Sequence, residues 1–359
     1  MTALGAATCR VARPPARLRG TGRPYAALAG LALGVAIATL SAAPCAQAAT
    51  RGTPAAAASP AEAPPPRLSL EELRRMYRSP QDRVLDVDGV EVYYRDEGRG
   101  PAMLLIHGSQ STLRTWDELA RVLRRSFRVV RYDVPPNGLS GPIPDAVLGR
   151  LRPSDVPARL LAHLGIGRAT VVGVSSGGTT GIFLAAEHPD LVERLVVSCA
   201  PADPVDMSKL VKSPAMLEAE RLYGDYMDYG RSKPRSFWRT YVDFYSARPG
   251  RVSDDIVQQM YDFTRRVPER HATALTGVVA DQAKAIGAMN AVRQPVLLLW
   301  GAADPLLPPS AAHALAKHLK NASLSLLMIP DASHYPPMEI PRRYAAVLAT
   351  WMTQATPPP

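Results

Sequence analysis

Short apolar runs that do not alternate with polar residues recur along this chain, separated by amphipathic segments, and that order leaves few folds open. Residues 102–106 (AMLLI), 127–132 (FRVVRY), 169–174 (ATVVGV), 195–198 (LVVS), 296–300 (VLLLW) and 324–329 (LSLLMI) are the strongest runs. Strands covered on both faces read this way, as in a parallel sheet flanked by helices. Between them, residues 116–125, 157–164, 179–188, 310–319 and 341–352 carry helical periodicity. Two earlier strands, 83–87 and 91–95, flank the Asp88-Gly89 turn and read as a hairpin. The expected class is α/β, one sheet with helices on both faces.

The alternation stops between 201 and 290. That stretch reads as helices alone, at 214–229, 237–247, 254–266 and 269–286, with Ser213-Pro214 and Ser253-Asp254-Asp255 as helix starts. Ten of the 22 Phe, Trp and Tyr residues fall in these 90 positions, which suits a lid over an apolar pocket. Most of these rings are expected to pack inside the insert, with three or four facing the site.

Composition removes other classes. With 359 residues, 47% apolar and 21% charged, the chain is too apolar for disorder, and three cysteines cannot frame a disulfide scaffold. The net charge is +10, yet five arginines lie within residues 1–48; without them 37 basic side chains face 32 acidic ones. No cluster of Lys and Arg interleaved with aromatics appears, so nucleic acid is not expected as a partner. Histidines and acids show no metal-ligand spacing, and there is no phosphate loop or dinucleotide fingerprint. No metal or cofactor is expected, only a small-molecule substrate.

The N-terminus reads as an export signal. Five arginines precede or open an uncharged apolar run at 25–43, and Ala46-Gln47-Ala48 follows it. Cleavage after this segment and retention as a membrane anchor are both compatible with its length. A periplasmic or secreted location follows in either case. Residues 49–66, rich in Ala and Pro, read as a linker, and order is expected to begin near Ser69, where Ser69-x-x-Glu72 forms a capping box.

The segment that carries chemistry is Gly173-Val174-Ser175-Ser176-Gly177-Gly178, between a buried strand and a helical stretch. In G-x-S-x-G at such a junction, small residues two before and two after the serine let the backbone turn sharply and project the hydroxyl from the sheet edge. Ser175 is the expected nucleophile; only the N–H of Ser176 is expected to matter. A serine hydroxyl needs a base in reach and an acid to orient that base. Of seven histidines, His334 alone stands in a loop after a late strand, in Asp331-Ala332-Ser333-His334-Tyr335-Pro336. His107 reads as structural and His188 as a helix cap. Asp304, after the strand VLLLW, is the expected acid, with Asp203 and Asp206 as rivals. The oxyanion donors are expected to be the N–H groups of Ser176 and Ser109, the latter in His107-Gly108-Ser109-Gln110. Gln110 could direct its amide into the substrate pocket.

These motifs, standing here as LLIHGSQSTLRTWDEL, RYDVPPNGLSGP, VVGVSSGGTTGIFLAAEHPDLVERLVVSCA, LLLWGAADPLLP and IPDASHYPPMEIP, resemble the capped, serine-nucleophile branch of the α/β-hydrolase superfamily. The resemblance spans residues 85 to about 355. It implies an α/β-hydrolase fold with an eight-stranded, mostly parallel sheet and a helical cap inserted after the sixth strand. The core would be 67–200 with 291–355, and the cap 201–290. It also implies the triad Ser175, Asp304 and His334 with the oxyanion donors Ser109 and Ser176. The segment Asp133-Val134-Pro135-Pro136-Asn137-Gly138 departs from the family's Asp-x-x-Gly-x-Gly; Asn137 is expected to supply the positive φ there. A carboxylic-ester hydrolase for small to medium apolar substrates is the expected function. Carbon–carbon bond hydrolysis and cofactor-free perhydrolysis with the same triad are the alternatives.

Overall fold

A computed structural model describes residues 62–353, apart from Tyr229, Gly277, Val278 and Ala280. The expected signal segment, 1–48, lies outside the described residues. The end of the expected linker is not a free tether. The Glu62 N–H donates to the Tyr223 hydroxyl (3.2 Å), the Ser236 hydroxyl donates to Glu62 (2.8 Å), and Leu68 pairs in parallel with Arg266. Side chains of the helical insert supply the partners that composition could not reveal.

After helix α1 (Leu70–Tyr77), with its capping box as expected, the chain enters β1 (Arg83–Val87) and β2 (Val90–Glu97). The two strands pair antiparallel around Asp88 and Gly89, both at positive φ, as the twist of a tight hairpin demands. There follow β3 (Ala102–Ile106), α2 (Asp117–Leu123), β4 (Arg128–Tyr132), α3 (Asp155–His163), β5 (Ala169–Val174), α4 (Ser176–Glu187) and β6 (Val192–Ser198). The insert carries α5 (Pro214–Tyr223), α6 (Arg235–Phe244) and α7 (Asp254–Thr264). Next come α8 (Gln282–Ala291), β7 (Val296–Gly301), α9 (Pro309–His318), β8 (Leu324–Ile329), α10 (Pro336–Glu339) and α11 (Pro341–Thr353).

The eight strands form one sheet in the order β1-β2-β4-β3-β5-β6-β7-β8, antiparallel at β1, β2 and β4 and parallel thereafter. This places the C-terminal ends of β3, β5, β6, β7 and β8 along one edge. One apolar core, with Val171, Leu195 and Leu298, lies beneath α3, α4, α8 and α9; another, with Val172, Val196 and Leu299, lies beneath α2, α11 and the insert.

Three expectations need correction. Residues 269–276 form turns rather than a helix, and α8 starts only after Asp281, whose carboxylate caps Lys284 N–H at 3.0 Å. Ala285, Ala288 and Met289 of α8 join the core under α4, so this helix packs in the sheet's helical layer rather than in a cap reaching to 290. Finally, β8 is not covered on both faces: as the edge strand it leaves Leu324, Leu326 and Leu327 exposed.

Candidate active site

The turn between β5 and α4 is as sharp as G-x-S-x-G requires. Ser175 sits at φ +53°, ψ −128°, a conformation side-chain-bearing residues avoid. Its N–H donates to the Ser198 carbonyl on β6 at 2.9 Å, which ties the elbow to the sheet. The two glycines are there for space. A Cβ on Gly173 would stand 2.3 Å from the Gly177 carbonyl oxygen, and one on Gly177 would stand 2.3 Å from that of Ile106. The start of α4 thus presses against the end of β3, which brings the loop after β3 beside the serine. A Cβ on Gly108 would lie 2.9 Å from Ser175 Cβ and 3.7 Å from its Oγ.

Asp304 and His334 stand on the loops after β7 and β8, at the same sheet edge. Both are buried, and His334 Nδ1 bonds Asp304 Oδ2 at 2.8 Å. A carboxylate only accepts, so Nδ1 carries the proton and Nε2 keeps its lone pair. The other carboxylate oxygen, Oδ1, accepts the Leu306 and Leu307 N–H groups at 2.9 Å each, so the acid is held rigidly. The rival acids are elsewhere: Asp203 accepts from Gln282, and exposed Asp206 caps the turn at Ser208. His107 is structural as expected. Its Nδ1 donates to the Gly108 carbonyl (2.8 Å) and its Nε2 accepts the Val134 N–H (2.9 Å), while burial pushes its pKa down and keeps it neutral.

Ser109 and Ser176 do face each other, with the Ser109 hydroxyl donating to the Ser176 hydroxyl at 3.1 Å. The Ser176 side chain is therefore engaged, not turned away. As the first residue of α4, Ser176 has no carbonyl four residues back for its N–H to bond within the helix. In the Asp133–Gly138 segment the positive φ belongs to Gly138 (+59°), not Asn137. A Cβ at 138 would collide with the Asp133 carboxylate at 2.2 Å, and that carboxylate is occupied accepting Leu113 and Leu139 N–H.

Three neighbours of the histidine carried no sequence signal. Cys199, directly after β6, lies buried with its sulfur among the ligand atoms of Asp304 and His334, all within 4.8 Å of one another. Burial and the Asp304 carboxylate push its pKa well up, so it remains a thiol. Tyr245, at the end of α6, places its ring 5.6 Å from the imidazole and accepts the His334 N–H on its carbonyl at 3.2 Å. Glu339 of α10 accepts the N–H of Ser333 on one oxygen and of Ala247 on the other, both at 2.8 Å. Tyr226, Tyr241 and Tyr335 complete an aromatic group around Tyr245. Phe237 and Trp238 pack within the insert, as expected for most of its rings.

A strained serine at the elbow and a buried Asp–His pair at the same edge of such a sheet define a hydrolase scaffold. Residues 101–341 match the α/β hydrolase fold family, and the chain belongs to it. Among its relatives, a pimeloyl-[acyl-carrier protein] methyl ester esterase of Nitrosomonas europaea is 27% identical over 260 residues, 71% of this chain and 97% of that protein. A 3-oxoadipate enol-lactonase of Acinetobacter baylyi is 26% identical over 251 residues, covering 68% and 85% of the two chains. The fold is also that of a meta-cleavage product hydrolase from Pseudomonas fluorescens. That match has a TM-score of 0.60 and 18% identity over 76% of this chain and 98% of the other.

Proposed function

We propose that this protein is a serine hydrolase that cleaves carboxylic esters of small to medium, largely apolar substrates. The observation that carries the reading is the buried 2.8 Å bond between His334 Nδ1 and Asp304, which leaves Nε2 outside that bond on the edge where Ser175 stands. In this reading His334 takes the proton as Ser175 Oγ attacks the carbonyl, and Asp304 stabilises the imidazolium that results. The N–H groups of Ser109 and Ser176 receive the oxyanion, supported by the N-terminal end of the α4 dipole. Protonated His334 then gives its proton to the leaving alcohol. A water deprotonated by the same nitrogen releases the acyl group and restores the serine. The esterase and enol-lactonase among the relatives support ester bonds as the target class. The arginine-flanked apolar run and Ala46-Gln47-Ala48 support action outside the cytoplasm.

The test is turnover of short p-nitrophenyl esters, together with labelling by a fluorophosphonate. Ser175→Ala should abolish both while its circular dichroism spectrum stays that of the wild type. Undiminished hydrolysis by a folded Ser175→Ala protein refutes the assignment. A parallel panel of ring-cleavage diketones and of peracid formation separates the two alternative chemistries.

A further inference from the structure

The loop after β3 borders a small cleft of about 80 Å³ that the triad chemistry leaves unexplained, with Arg67, Gln110, Asn137, Phe263, Arg266 and Glu269 in its walls. Gln110 is the anomaly in this wall. It is held at φ +58°, a region that residues with a side chain adopt only at a cost. Its Nε2 is buried and has no hydrogen-bond partner. A residue in this conformation with an orphaned donor beside a cleft points to a ligand.

The polar neighbours are already engaged. Arg266 donates to the carbonyls of Pro136, Gly138 (3.2 Å) and Ser140 (2.8 Å) and to Glu269 (2.7 Å); Asn137 donates to the Val134 carbonyl (2.9 Å). The Gln110 amide and the Arg266 Nε–H are thus the buried donors left over in this part of the wall, among the described residues. Each can be satisfied only by an acceptor, so an amine or another donor does not fit. Position narrows the ligand further. Gln110 is two residues beyond Gly108, whose backbone lies against Ser175, and a two-residue step spans at most about 7 Å. The Gln110 backbone therefore lies within about 7 Å of the residue that packs against Ser175. Arg67, which reaches the Thr264 and Arg266 carbonyls at 3.5 and 3.4 Å, brings positive charge to the same cleft from the segment before α1. That segment lies upstream of the family match at 101–341.

We propose that this cleft is a specificity subsite for a second acceptor oxygen on the ester substrate, a carboxylate or carbonyl hydrogen-bonded by the Gln110 amide and faced by Arg67. The proposal rests on the serine-hydrolase reading and names the substrate class within it: esters of short dicarboxylic or oxo-substituted acids rather than plain alkanoates.

The experiment compares kcat/KM for monomethyl adipate, dimethyl adipate and methyl hexanoate, in the full chain and in its Gln110→Leu variant. The wild type should prefer the adipate esters by about tenfold, the worth of one hydrogen bond in a desolvated site, and Gln110→Leu should erase that preference. Preference for the monoester identifies a carboxylate as the bound group; equal or better use of the diester identifies a neutral carbonyl. Equal rates on all three esters in the wild type overturn the subsite while leaving the serine hydrolase intact. If the wild type cleaves none of them, the catalytic reading is at fault, and calorimetry decides the subsite separately. Monomethyl adipate should then bind Ser175→Ala about tenfold more tightly than the Ser175→Ala, Gln110→Leu double variant. Equal binding by the two, or none by either, overturns the proposal.

Discussion

Removing the Cβ of the elbow serine should make the protein more stable. Ser175 occupies φ +53°, ψ −128°, a region in which an L-residue carries about 1–3 kcal/mol of strain. Alanine at 175 deletes the hydroxyl but keeps the Cβ and so keeps the strain. Glycine removes both, and gives back about 0.5–1 kcal/mol through the greater freedom of its unfolded chain. Ser175 is only partly buried, so losing one carbon there forfeits little packing. The difference leaves Ser175→Gly more stable than Ser175→Ala by about 0.5–2 kcal/mol. For a domain of this size that corresponds to about 1–5 °C in Tm. Scanning calorimetry of the two variants at one pH and scan rate reads the difference directly, because both lack the hydroxyl and both should be inactive. A glycine variant that melts at or below the alanine variant would show that the elbow stores no strain.

Two further perturbations test the supports around the site. Gly108→Ala places a Cβ 2.9 Å from Ser175 Cβ and 3.0 Å from the Val174 carbonyl oxygen, so one loop must move. The expected result is a fall in kcat of about 100-fold, as for a displaced oxyanion donor, and unchanged kcat on p-nitrophenyl esters contradicts it. Away from the site, buried Asp82 accepts from Arg95 (2.6 Å), Arg114 (3.1 Å) and the Ser79 N–H (3.0 Å). Burial raises its pKa, but these three partners together outweigh burial and hold it below its usual value. A depressed folded pKa gives stability that is present above the unfolded value and lost as pH falls through the folded one. Asp82→Asn should therefore cost about 3–5 kcal/mol at pH 7, and that gap from the wild type should narrow as pH falls below about 4. A gap that stays constant between pH 7 and pH 3 in urea denaturation refutes the ion-pair account.

Legibility followed the physics of each signal. The runs AMLLI, ATVVGV and LSLLMI became strands with the expected ends, because an apolar run bounded by Gly, Pro or charge has one way to sit in a sheet. Asp304 was found because the chain order of strand ends fixes which loop can meet His334. Burial of β8 was misjudged because composition does not say which strand is last in line. The turns at 269–276 carry helix-forming residues, but propensity is a weak prior: Leu275 packs into the core from a turn, and α8 begins where Asp281 offers a cap. Cys199 and Glu339 share a different difficulty. What singles out each is a relation to groups far along the chain, and no local pattern encodes that.

The Glu339 carboxylate has a consequence for how the base is held. One side chain grips both the strand-end loop beneath the imidazole and the chain leaving the roof helix above it, while the His334 backbone hangs from Tyr245 in that same roof. Floor and ceiling are bolted through a single bracket. Lifting α6 would strip acceptors from two N–H groups at once, those of His334 and Ala247, at about 1–3 kcal/mol for each one left buried. In the proposed reaction the imidazole would therefore meet each substrate already aligned, and the work of admitting cargo would fall to the remaining walls.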